Sequence, residues 1–103
     1  MTLTSKQRAY LISLGMKLKP CVMIGKDGLT PEVTRNAEEA LTANELIKLG
    51  VLKNCEEDPG SIADMIAERT HSTVVHVIGK KIVLYREGKD DKKKIVLPRP
   101  KKN

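Results

Sequence analysis

Apolar positions along this chain change their spacing from one segment to the next. Leu11, Leu14 and Leu18 fall three or four residues apart with Tyr10 beside them, which predicts an amphipathic helix. Thr4 begins it: its hydroxyl can cap the first turn, and Gln7 three residues on completes a capping box. Gly15 weakens that helix near its end, and Pro20 forbids its continuation. The run CVMI, 21–24, closed by Gly25, reads as a short buried strand with Cys21 as a small core residue. Thr30-Pro31 then starts a second helix, a capping residue followed by proline at the first helical position. Val33, Ala37, Ala40 and Leu41 form its inner stripe, and Asn44 is placed to end it in a left-handed conformation.

The segment ELIKLGVL, 45–52, is apolar on both alternating faces near its centre, the pattern of a central strand covered on two sides. Gly50 within it marks a bulge or a close contact. Asp58-Pro59 opens a third helix by the same capping logic, with Ile62, Met65, Ile66 and Arg69 at helical spacing and Ala63 and Ala67 alongside. TVVHVIGKKIVLYR, 73–86, is two β-rich runs around Gly79-Lys80, which suits a type II′ hairpin. IVLP, 95–98, is placed to add a short edge strand. The predicted order is α-β-α-β-α-β-β: an α/β fold, one small domain over residues 1–98 with a mixed sheet packed by helices, and a basic tail at 99–103.

Composition changes this picture in one respect. The chain of 103 residues carries a net charge of +6, unevenly placed. Residues 1–30 sum to +4, residues 31–70 to −5 and residues 71–103 to +7. If the two basic ends meet in space, they make a positive face with a negative back, which favours a polyanionic partner. No apolar run approaches the roughly 20 residues of a membrane span, so no membrane partner is expected. No signal peptide is legible, and Cys21 and Cys55 fit neither a disulfide framework nor a CxxC pair. A cytoplasmic protein with reduced thiols is the expectation.

The segment IGKDGLT, 24–30, carries the candidate chemistry. Gly25 and Gly28 bracket Lys26 and Asp27 between a strand and a capped helix. A GxxG by itself is a common turn. In this setting it would combine free backbone N–H groups, the positive end of a helix and a mobile lysine, all suited to phosphate. The P-loop spacing and the third glycine of a dinucleotide fold are both missing. The sequence has two tyrosines and no Phe or Trp, so contacts to a nucleic-acid backbone should outweigh base stacking. Tyr85 is open to two readings, stacking a base or closing the core. His71 and His76 lack partners at ligand spacing and read as structural or surface residues; no metal or cofactor is expected. Cys55, beside Glu56 and Glu57, is unsuited to a reactive thiolate. No nucleophile–base or carboxylate pair suggests an enzyme.

LTSKQRAYLISLGMKLKPCVMIGKDGLTPEV, then ELIKLGVL, then VIGKKIVLYR, together resemble the CRM domain, the chloroplast RNA splicing and ribosome maturation module, in its stand-alone bacterial YhbY-like form. The resemblance covers about Leu3 to Pro98. It implies a four-stranded mixed sheet with helices, similar to the C-terminal domain of a bacterial translation initiation factor. It implies RNA binding, with the bacterial form associated with precursors of the large ribosomal subunit. The family's GxxG loop falls on Gly25, Lys26, Asp27 and Gly28, where this chain has Lys and Asp in place of the Ser or Asn common in bacterial members. Its basic helix face falls on Lys6, Arg8, Lys17 and Lys19, and its hairpin on Gly79, Lys80, Tyr85 and Arg86. The expected protein is a monomeric, non-catalytic ribosome-assembly factor that binds rRNA through Lys6, Arg8, Lys17, Lys19, Gly25, Lys26, Asp27, Gly28, Lys80 and Arg86. The alternative is a module that docks an acidic protein partner on the same face.

Overall fold

The computed structural model describes residues 3–88 and residue 95. Three helices and four strands follow in the predicted order: α1 (Ser5–Met16), β1 (Val22–Ile24), α2 (Pro31–Asn44), β2 (Leu46–Val51), α3 (Pro59–Thr70), β3 (Thr73–Ile78) and β4 (Lys81–Tyr85). The sheet order is β1-β2-β4-β3; β1 runs parallel to β2, and the other two pairs are antiparallel.

Each helix starts where its capping residue stands. Thr4 and Gln7 form the reciprocal capping box of α1. Thr30 and Asp58 accept from the N–H groups of Val33 and Ser61, each with proline in the first turn. The sheet is covered on both faces. Val22, Ile24, Ile47, Leu49, Ile82 and Leu84 pack against α2 and α3 through Ala37, Leu41, Ile62 and Ile66. On the other face Leu46, Val75, Val83 and Tyr85 meet α1, whose Leu11 is fully buried. Gly15 sets the approach of α1: a Cβ there would lie 3.0 Å from Cγ1 of Val83, so the residue that weakens the helix also lets it sit close on β4.

Several expectations change. Cys21 lies one residue before β1 and is exposed. Its N–H does bond the carbonyl of Lys48, but it alternates with buried Val22 and so falls on the face that α1 covers only in part. Asn44 stays helical, and Glu45 takes the positive φ of 64°. Tertiary bonds hold Glu45 there. Its carboxylate accepts from the N–H of Gly88 and, at 2.7 Å, of Ile95, and its carbonyl accepts from Arg86 N. Met65 and Arg69 are exposed, the buried stripe of α3 being Ile62, Ala63, Ile66, Ala67 and Thr70. Tyr85 is buried, which settles its role as a core residue. Cys55 is buried too. Gly50 is a close contact, with the Met23 thioether packed over it. Gly79 has positive φ and Lys80 does not, the sign pattern of a II′ turn. Ile95 is not in a strand. The rest of the IVLP segment and the tail at 99–103 lie outside the described residues.

Candidate nucleic-acid interface

The GxxG loop joins β1 to α2 at one end of the sheet. Gly28 N–H bonds the carbonyl of Gly25 at 3.0 Å, which closes the turn, and Thr30 N–H bonds the carbonyl of Gly28. The amides of Lys26 and Asp27, at the tip, have no acceptor among the described residues. Both side chains are exposed.

The two glycines answer to different constraints. Gly28 has φ +67°, and a Cβ on it would stand 2.5 Å from Oε1 of Glu57. The fold alone demands glycine there. Gly25 has no such φ, and its Cβ would meet Leu52 at 3.5 Å and Asn54 at 3.6 Å, ordinary contacts. Nothing among the described residues requires Gly25 to lack a Cβ.

The β3–β4 turn reaches the same end of the sheet. Lys80 O accepts from the N–H of Val51, whose strand partner is Ile24, so Lys80 sits two strands from the loop, roughly 10 Å across. Lys81 stands opposite Gly50, and Lys48 opposite Val83. Lys48 and Lys81 are thus diagonal neighbours on the face shared with α1. Lys48, Lys53 and Lys81 were missed by sequence reasoning. A lysine inside the otherwise apolar LIKLGV was the available signal for Lys48; for the other two, only the topology shows where they lie.

The basic residues of the first helix do not form one cluster. Lys6 and Lys17 are exposed at opposite ends of α1, about 16 Å apart along its axis. Arg8 turns inward and donates to the carbonyls of Val74 and Val75, both at 2.8 Å, where a register shift between Val74 and His76 breaks the β3–β4 ladder. Arg86 also turns inward. It donates to Glu38 Oε1 at 2.6 Å, Thr70 O at 2.9 Å and Thr42 Oγ1 at 2.8 Å, tying the ends of α2 and α3 to β4. Lys17 and Lys19 do come together with Lys48, along a groove floored by Leu14, Leu18 and Leu46.

Charge divides between the two sides of the sheet. The outer surface of α2 and α3 exposes Glu32, Glu38, Glu39, Asp64 and Glu68, with Arg35 and Arg69 among them. The loop end and the α1 side expose Lys6, Lys17, Lys19, Lys26, Lys53, Lys80 and Lys81, with the acids Asp27 and Glu57 beside them at the loop. Among the described residues, no three His, Cys, Asp or Glu side chains gather as metal ligands, and no helix is long and apolar enough to cross a membrane. His71 is the left-handed C-cap of α3, with φ 55°.

A model of the CRS1/YhbY (CRM) domain matches residues 3–86. The chain belongs to the CRM family. It is 43% identical over 96 residues to the probable RNA-binding protein YqeI of Bacillus subtilis, a match spanning 93% of this chain and 99% of that one. It is 40% identical to an RNA-binding protein of Haemophilus influenzae over 95% of this chain and 97% of the other. The solution structure of a hypothetical Staphylococcus aureus protein, for which RNA binding is suggested, superposes with a TM-score of 0.79 at 41% identity. That match covers 94% of this chain and 100% of the other, and the CRM fold is therefore this protein's fold.

Proposed function

We propose that this protein is a non-catalytic, cytoplasmic RNA-binding factor of ribosome assembly, acting as a monomer on rRNA of the large-subunit precursor. Its relatives in Bacillus and Haemophilus are RNA-binding proteins by name, which supports RNA as the partner. The observation that carries the site is Gly25. The fold leaves room for a side chain there, yet the residue is glycine, beside two amides with no acceptor among the described residues. A backbone that a phosphate oxygen must approach closely accounts for both.

In this reading Lys26 and the tip amides of Lys26 and Asp27 hold one phosphate. Lys80, Lys81 and Lys53 extend the track around the sheet end, and Lys48, Lys17 and Lys19 continue it beneath α1. Lys6 adds a peripheral charge. Arg8 and Arg86 act mainly by fixing β3 and β4. Contacts of this kind select RNA by shape and backbone more than by base identity.

Gly25→Asp tests the site, because it adds bulk and negative charge where the phosphate would lie. The expected result is an unchanged fold and binding to large-subunit rRNA fragments weaker by about tenfold or more, read by fluorescence anisotropy. A folded variant that binds as tightly as the parent would remove the loop from the interface. An acidic peptide that displaces the rRNA fragment at lower concentration than competing RNA would favour a protein partner.

A further inference from the structure

The groove beneath α1 has a chemistry that phosphate contacts alone do not use. Its volume is about 510 Å³, within the range of small-molecule sites. Leu14, Leu18, Leu46, Ile47 and Ile95 make its apolar lining, and its surface is mostly apolar. Lys17, Lys19 and Lys48 stand around it, and among the described residues no carboxylate lines it. Leu46 belongs to the core under α1 and Leu14 and Leu18 pack on it, but their open edges leave an apolar surface ringed by three lysines, which neither a purely electrostatic track nor a purely apolar partner would use in full. The two together fit a ligand with an apolar plane attached to anionic groups, which is a nucleotide. Asn44 is at the edge, its Nδ2 donating to the carbonyl of Ala40 at 3.3 Å and its Oδ1 facing no donor among the described residues, which leaves an acceptor for a base edge. Cys21 is in the wall of the groove, and β1 runs from it directly to Gly25, roughly 13 Å away in extended chain. The groove and the GxxG loop thus lie at opposite ends of β1, one strand length apart.

We propose that the groove takes one unpaired base of the bound RNA, packed on Leu14, Leu18 and Leu46, with the flanking phosphates on Lys17, Lys19 and Lys48. The proposal rests on the RNA-binding reading and adds a base pocket to it. The pocket gives a protein without exposed Phe or Trp a way to prefer single-stranded over fully paired RNA, because a paired base cannot leave its stack without cost.

Cys21 supplies the test, being exposed in the groove wall while Cys55 is buried. Alkylation of Cys21 is followed in the intact protein with a mixed-sequence single-stranded RNA of about nine nucleotides, and with an oligomer of the same length whose bases are replaced by abasic sites. At about 90% occupancy the intact RNA is expected to slow Cys21 alkylation about tenfold, and the abasic oligomer, at matched occupancy, less than about twofold. In parallel, Cys21→Trp fills the groove and is expected to lose the affinity difference between intact and abasic oligomers while keeping the parent's melting temperature. Equal protection by both oligomers, or RNA bound with Cys21 reacting at its free rate, overturns the base pocket and leaves the RNA reading standing. Failure of both oligomers to bind overturns the base pocket and the RNA reading together. Protection by poly-glutamate equal to that by RNA would also overturn it, in favour of an acidic protein segment.

Discussion

Gly25 and Gly28 stand three residues apart and predict opposite outcomes for the same substitution. Gly28→Ala forces a side chain into a left-handed backbone and against the Glu57 carboxylate. It should destabilise the protein by about 1–2 kcal/mol, measured by urea unfolding. Gly25→Ala meets only ordinary contacts, so its stability should stay level or rise by up to about 1 kcal/mol through the unfolded chain. Its RNA affinity should nevertheless fall. Loss of stability at Gly25, or none at Gly28, would mean that the loop is assigned the wrong way round. Tyr85 gives a prediction of another kind. Burial, then the negative charges of Glu45 and Glu87, push its phenol up to about 12 from an ordinary 10. The unfolded chain therefore releases this proton first as pH rises. The native state holds more protons between about pH 10 and 12, so Tyr85 contributes stability that is present below pH 10 and lost through that window. In a Tyr10→Phe background, absorbance at 295 nm should show the remaining tyrosine ionising near pH 12, or at the pH of unfolding if that comes first. A midpoint near pH 10 in folded protein would contradict the assignment.

Among the elements, the hairpin and the helix ends depend on two arginines that sequence reasoning placed at the RNA. Arg86→Ala removes the tie from β4 to Glu38, Thr42 and the carbonyl of Thr70. It should cost about 1–3 kcal/mol of stability and change RNA affinity at 25 °C by less than about threefold, in paired denaturation and binding measurements. A large loss of affinity with full stability would return Arg86 to the interface. The helices were legible because Thr4, Thr30 and Asp58 are local signals, satisfied by amides three residues away. The hairpin was legible from Gly79-Lys80 for the same reason. What could not be read locally was set by partners distant in the chain. Glu45, not Asn44, takes the positive φ because amides of residues 88 and 95 come to its carboxylate. Arg8 and Arg86 look like free surface cations until the carbonyls of β3 and α3 are seen beside them. Cys21 looked buried because an apolar run does not say which of its faces a helix will cover.

At the scale of the whole molecule, the fold turns an uneven charge sequence into two surfaces. The acidic middle of the chain supplies α2 and α3 on one side of the sheet, while the basic first segment and the hairpin reach the other side and one end. RNA affinity should therefore fall steeply with salt, and replacing Lys17 or Lys80 by Ala should reduce the slope of log K against log salt by about one each. Replacing Lys6, apart from the others on α1, should reduce it less. Equal effects at all three would point to a diffuse field in place of a defined track. The most direct test of the central claim, that this fold serves RNA in large-subunit assembly, is crosslinking in cells with sequencing of the attached RNA, alongside sedimentation on a sucrose gradient. The account predicts crosslinks concentrated on large-subunit rRNA, depleted by Gly25→Asp, with the protein in sub-ribosomal fractions. Crosslinks scattered over mRNA or missing, with the protein at the top of the gradient, would contradict it.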